Sequence, residues 1–167
     1  MKDDVYNFHQ TPRDIAKKLL DTIPFKKGDH VIEPFKGEGA FYDQLPDFVT
    51  KDYGEIEEGI DFRDVDYSKA DWVVSNVPFR LENKEKKRVN AFWKIIDFFT
   101  NLGTVGNIAF LGNDYCLCTL TVRRLKILED RGWYINKITV CDIKKWRGRY
   151  FWIIFGKENN KFYSYLK

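Results

Sequence analysis

An α/β fold built on a mostly parallel sheet is what this 167-residue sequence predicts. Short apolar runs of strand length alternate along the chain with stretches of helical periodicity. Glycine and proline mark most of the boundaries between them. No internal repeat, low-complexity tract or interdomain linker interrupts the alternation, and the length suits one domain spanning 1–167, within a prior of roughly 100–200 residues per domain.

Taken in order, the first element is a helix over 11–22. Thr11-Pro12 opens it, proline being tolerated in the first turn, and Ile15, Leu19 and Leu20 mark its buried face. A compact strand follows at His30-Val31-Ile32-Glu33. It runs into Pro34-Phe35-Lys36-Gly37-Glu38-Gly39 and a short helix through Phe41 and Leu45. Lys51 to Ile56 reads as a second strand, and a short turn leads to Ile60-Asp61-Phe62. Ala70 to Ser75 is a buried strand, counted as the fourth, that stops at Asn76-Val77-Pro78-Phe79. Arg80 to Arg88 reads as a basic loop. Phe92, Ile95, Ile96 and Phe99, at i, i+3, i+4 and i+7, then define an amphipathic helix. Ile108 to Leu111 is a strand, and Leu117, Leu120, Leu125 and Leu128 mark one helix ending at Gly132. The last two strands lie near Ile135–Val140 and Tyr150–Phe155.

Composition limits the functional classes. The 28 Lys and Arg against 25 Asp and Glu leave a net charge of +3, so any hold on a polyanion must come from a local patch rather than bulk charge. No apolar run approaches the roughly 18 residues of a membrane span, and the acidic start MKDDVYNFHQ is unlike a signal peptide. Cys116, Cys118 and Cys141 cannot all pair and fit no usual zinc spacing, so no metal site is expected. The cysteines read as small buried hydrophobes and His9 and His30 as structural, with His9 a possible border of a ligand pocket. Together these features describe a reduced, cytoplasmic domain.

Two strand ends carry the chemistry. In Glu33-Pro34-Phe35-Lys36-Gly37-Glu38-Gly39 an acid closes a strand and a Gly-x-Gly bend lets the backbone pass close to a ligand. An ordinary strand-to-helix turn would look similar, and Tyr42 replaces the third glycine of the dinucleotide fingerprint. Glu55 lies 22 residues after Glu33, about where an acid hydrogen-bonds a ribose diol in doubly wound sheets. Asp61-Phe62 sets an acid beside an aromatic, suited to the exocyclic amine and the face of an adenine. These residues point to a nucleoside ligand. At Asn76-Val77-Pro78-Phe79, the Asn76 side-chain oxygen and the Val77 carbonyl are two acceptors for the hydrogens of a planar amine. Pro78 would stiffen the turn and Phe79 could stack on an extruded base or pack in the core.

These stretches resemble motifs of the class I S-adenosylmethionine-dependent amino-methyltransferases, in particular the adenine-N6 DNA type, in the family's order over residues 8–80. His9-Gln10-Thr11-Pro12 looks like the motif beside the methionine end of the cofactor. Glu33 to Phe41 resembles Asp-Pro-Phe-x-Gly-x-Gly-x-Phe, and Glu55-Ile56 and Asp61-Phe62 resemble the ribose and adenine contacts. Asn76-Val77-Pro78-Phe79 resembles the catalytic Asn-Pro-Pro-Phe/Tyr. Glu33 stands in place of Asp, and Val77 in place of the first proline. The resemblance implies a Rossmann-like sheet of about seven strands with helices on both faces, the first helix on the cofactor side, and S-adenosyl-L-methionine as cofactor. It implies cofactor contacts from Gln10, Thr11, Pro12, Glu33, Pro34, Phe35, Gly37, Gly39, Phe41, Glu55, Ile56, Asp61, Phe62 and Asn76, and catalysis at Asn76, Val77, Pro78 and Phe79.

Adenine N6 in DNA is then the first acceptor and adenine in RNA the next. Cytosine N4, a protein glutamine amide and a non-catalytic binding subunit remain alternatives. Cytosine C5 chemistry is disfavoured, because the strand end holds no cysteine nucleophile. Two basic segments suit nucleic acid: one beginning with Arg80 and containing Lys84, and Lys144 to Tyr150, where Lys145, Trp146, Arg147 and Arg149 interleave cations with aromatics. Either would equally be a solvated loop if no nucleic acid binds. Nine residues between Phe62 and Trp72, and twelve after Phe155, leave no room for a recognition domain. The expectation is therefore weak sequence reading, a homodimer or a partner subunit. So compact a design also suits a phage, virus or mobile element, acting in the host cytoplasm.

Overall fold

A computed structural model describes residues 10–82, 88–161 and 163–165. Among the described residues there are eight strands: β1 His30–Glu33, β2 Thr50–Tyr53, β3 Trp72–Asn76, β4 Arg80–Glu82, β5 Arg88–Asn90, β6 Asn107–Asn113, β7 Tyr134–Cys141 and β8 Tyr150–Gly156. The helices are α1 Arg13–Leu20, α2 Phe92–Asn101, α3 Asp114–Cys118 and α4 Val122–Asp130. Six strands form one sheet in the order β2-β1-β3-β6-β8-β7. The pairs β1/β2, β1/β3 and β3/β6 are parallel, and β8 runs antiparallel to both β6 and β7.

Strict alternation along the strands divides the core in two. Ile32, Val73, Ile108, Phe110, Ile153 and Phe155 point to one face, where Phe92, Ile95, Ile96 and Phe99 of α2 meet them with no exposed surface. Val31, Trp72, Val74, Leu111 and Trp152 point to the other, against Ala16, Leu19 and Leu20 of α1. Burying each large side chain stabilises the fold by about 1.5–3 kcal/mol before the entropy of ordering it is subtracted. The α/β, Rossmann-like architecture is as expected, mostly parallel and with helices on both faces.

Several details differ. Among the described residues the sheet has six strands, not about seven. Ile60 makes only an isolated antiparallel bridge to Glu55, and the chain from Asp61 to Asp71 turns instead of extending, which leaves β2 at the edge. The first helix is shorter than 11–22: Pro12 is its N-cap, and it ends at Leu20, four residues before Pro24. The helix expected through Phe41 and Leu45 is a single 3-10 turn, Tyr42–Gln44, because Leu45 is held extended (ψ 142°) by the proline after it. The leucine-marked helix before Gly132 is two. Thr119 to Thr121 break it, with the Thr121 hydroxyl accepting from the Arg124 N–H to begin α4. Arg80 and Arg88 belong to no loop: β4 and β5 pair antiparallel, Arg80 opposite Asn90 and Glu82 opposite Arg88. The second strand stops at Tyr53, short of Ile56, because a 3-10 turn takes Ile56–Glu58. Cys116 is buried, and burial pushes its thiol up to about 11, but Cys118 is exposed rather than a core residue. Among the described residues no helix is long and apolar enough to cross a membrane, and no group of three or more His, Cys, Asp or Glu is placed to hold a metal ion.

Candidate functional site

The strand order reverses at β1, since β2 lies on one side of it and β3 on the other. Chains leaving such a reversal diverge and open a crevice beyond the carboxyl ends of the strands. A cleft of about 510 Å³ lies there, lined by residues that follow β1, β2 and β3. It contains Gln10, Thr11, Glu33, Pro34, Phe35, Gly37, Phe41, Glu55, Ile56, Asp61, Phe62, Asn76, Val77, Pro78, Phe79 and Arg80. Those are almost all the positions singled out in the sequence around the two strand ends.

Glu33 ends β1 with its carboxylate buried. Burial pushes its pKa well above the ordinary value, against the opposing effect of the Tyr42 N–H, which donates to it at 2.7 Å. Gly37 needs its left-handed backbone (φ +53°) to turn the chain under the Gln10 amide, where a Cβ would meet the Gln10 terminus at 3.3 Å. The Gly37 N–H donates to the Glu55 carboxylate, which also accepts from the Glu57 N–H at 3.1 Å and so caps the 3-10 turn after β2. One carboxylate therefore ties the end of β2 to the glycine bend of β1.

Asp61 and Phe62 follow on the same rim. The Phe62 ring lies 4.9 Å from that of Phe35 and also packs on Phe98 and Phe99. Asp61 accepts from the Arg63 backbone N–H and from its guanidinium, which lowers the carboxyl pKa. On the third rim, Asn76 is the last residue of β3, paired with Leu111 of β6. Val77 is buried, its N–H donating to the Leu111 carbonyl at 3.4 Å, and the Phe79 carbonyl accepts from the Ala91 N–H at 3.1 Å. These two bonds pin the backbone on both sides of Pro78. Phe79 is partly buried against both core clusters, so packing and cleft lining are combined in one ring.

Some expected residues lie elsewhere. Pro12 caps α1 and does not line the cleft, and Gly39 faces the Asp43 carboxylate instead of the cavity. Lys145, Trp146, Arg147 and Arg149 sit on the loop between β7 and β8, outside the cleft. Because β7 runs in the same direction as β6, that loop emerges at the same edge of the sheet as Asn76. Lys145 and Arg147 are exposed, Trp146 packs at 4.7 Å on Tyr150, and Arg149 pairs with Asp114 at 3.2 Å. Lys84 and His9 lie outside the described residues. Sequence reading missed Lys36, Ala40, Arg63 and Leu81 as cleft residues. Lys36 bonds Glu58 at 2.6 Å and lies 3.7 Å from the Tyr53 ring centroid. Its position inside the glycine motif was the only available signal.

No protein-family model matches the sequence, and no curated protein does. Solved structures do match. Mtq2 of E. cuniculi, from its complex with Trm112 that methylates the translation termination factor eRF1, superposes with a TM-score of 0.62 at 19% identity, covering 90% of this chain and 98% of that one. A modification subunit assigned to a type I restriction enzyme from Vibrio vulnificus gives 0.64 at 12% identity over 93% of this chain and 46% of its own. A Listeria monocytogenes protein assigned as a class I S-adenosylmethionine-dependent methyltransferase gives 0.60 at 14% over 88% and 59%. The chain thus spans nearly all of the first structure and about half of the other two. Sheet order, crevice and these superpositions agree: the chain has the fold of class I S-adenosylmethionine-dependent methyltransferases.

Proposed function

We propose that this chain binds S-adenosyl-L-methionine in the 510 Å³ cleft and transfers its methyl group to an exocyclic amine, adenine N6 of DNA being the first acceptor. The observation that carries the reading is that Glu33, Glu55, Asp61 and the Asn76–Phe79 strand end line one cavity. The cavity is of a size for a nucleoside-bearing ligand, since small-molecule pockets run from about 300 to 1,000 Å³. Its donor set fits as well. In support of the reading, the Glu55 carboxylate suits a ribose diol, the adjoining Phe35 and Phe62 rings suit one side of a purine, and Gln10 and Thr11 suit the amino-acid end.

When bound, the cofactor would supply a sulfonium methyl group to the amine nitrogen, sulfur keeping the electron pair of the broken sulfur–carbon bond and the methylated nitrogen losing its proton to water. The protein's part is to position and to exclude water. The Asn76 side-chain oxygen and the Val77 carbonyl accept the amine hydrogens, drawing the nitrogen toward a pyramidal shape that frees its lone pair. Valine supplies that carbonyl as proline would, and the Val77 and Ala91 N–H bonds hold the loop that proline would have stiffened. Phe79 stacks on the base, and Arg80 and the 144–149 loop contact phosphates.

A second reading, a protein acceptor, draws on the near-complete coverage of Mtq2, whose complex methylates eRF1. Transfer of labelled methyl to unmethylated DNA, total RNA and protein in parallel separates the two, with nucleoside analysis identifying the atom modified. Labelled N6-methyladenine is expected. Asn76→Ala is expected to lower transfer about a hundredfold or more while the fold survives. If Asn76→Ala methylates as well as the parent, that residue has no catalytic role. Cofactor binding without transfer to any acceptor would instead mark a non-catalytic subunit.

A further inference from the structure

Asp61 is held by more than its place in the chain. Its main-chain carbonyl accepts from the Asp64 N–H at 2.9 Å, closing a turn, and the Tyr67 hydroxyl donates to the Phe62 carbonyl at 2.7 Å from below. On this fixed turn the Asp61 Oδ1 accepts from the Arg63 N–H at 2.9 Å and from Arg63 Nε at 2.8 Å, while Oδ2 accepts from the Arg63 terminal nitrogen. A carboxylate has about four acceptor positions, so three are in use and one remains, on Oδ2. Arg63 also lines the cleft itself, its guanidinium carbon 5.6 Å from the centroid of the Phe62 ring.

We infer that Arg63 is a positioning residue that sets the purine selectivity of the cleft, by holding the Asp61 carboxylate in one orientation with one acceptor position left for a ligand. The inference rests on the cofactor reading above. A single acceptor on a fixed anion suits one N–H of an amine at the purine 6-position and repels a carbonyl oxygen there. Arg63 is suited to the task because its planar fork grips both oxygens, whereas a lysine would offer a point charge that leaves the carboxylate free to rotate. The pair is partly exposed, so its contribution to folding is small. Its effect is on ligand choice.

Calorimetric titration with S-adenosylhomocysteine and with S-inosylhomocysteine, which carries an oxygen in place of the 6-amine, tests this. The wild type is expected to prefer the adenosyl compound by about tenfold or more, as a hydrogen bond to a charged group is worth. Arg63→Ala is expected to lose most of that preference by weakening the adenosyl compound alone, and Arg63→Lys to fall between. Should Arg63→Ala not fold, Arg63→Lys carries the same comparison. Unchanged preference in the variant, or equal weakening of both compounds, overturns the role of Arg63 and leaves the cofactor reading standing. A wild type that binds neither compound overturns the cofactor reading and this inference with it.

Discussion

Glu33 closes β1 with its carboxylate cut off from water, and that burial outweighs the single Tyr42 N–H that stabilises the anion. A carboxyl whose pKa is raised on folding favours the fold below its ordinary value near 4.5 and loses that contribution as pH rises through the folded-state value. Glu33→Gln keeps an acceptor for Tyr42 and removes the charge. The variant should therefore melt higher than wild type at pH 8, with the gap closing as pH falls toward 4.5 in thermal scans. Equal melting at every pH would show that the buried charge carries no cost. This residue was legible in the sequence because an acid directly after an apolar strand run is a chemical oddity. Glu55 was legible by its spacing from Glu33, and Asp61 as an acid beside an aromatic. Arg63 and Lys36 were not, because their partners Asp61 and Glu58 are set by a turn and by the meeting of the bend after β1 with the 3-10 turn after β2, which the sequence pattern does not encode.

The glycine bend is the element that joins helix, strand and cleft. Gly39 adopts φ +76°, and a Cβ there would lie 2.8 Å from the Asp43 carboxylate, which pairs with Arg13 of α1 at 3.1 Å. Gly39→Ala should cost about 1–2 kcal/mol for the left-handed backbone alone, read as a melting temperature lower by several degrees. Displacing Asp43 also loosens α1, so the variant should bind the cofactor less tightly although residue 39 is outside the cleft. Unaltered melting would mean that the bend relaxes to another conformation. At this scale the sequence spoke unevenly. β1, β3, β6 and α2 were readable because buried parallel strands are continuous apolar runs and a buried helix face repeats at 3.6. The pairing of β4 with β5 was hidden by their charge, and the division of α3 from α4 by two threonines whose helix propensity is only slightly low.

Across the whole molecule a net charge of +3 averages over two unlike regions at one edge of the sheet. The cleft beyond β1 and β2 sets Glu33, Glu55 and Asp61 against Lys36, Arg63 and Arg80, while Lys144, Lys145, Arg147 and Arg149 crowd the loop between β7 and β8. Arg149 pairs with Asp114, and the side chains of Lys145 and Arg147 are exposed. Under the nucleic-acid reading this loop meets phosphates, and each phosphate neutralised releases counterions. The logarithm of the binding constant for duplex DNA then falls with the logarithm of salt concentration by about 0.9 per contact. Lys145→Ala combined with Arg147→Ala should therefore make that slope shallower by about 2. Binding of S-adenosylhomocysteine should stay as in the parent, because neither side chain lines the cleft. Fluorescence anisotropy of labelled duplexes across a salt series measures the slope. An unchanged slope would move the phosphate contacts off this loop, and loss of cofactor binding would show that the loop supports the cleft instead of facing the acceptor.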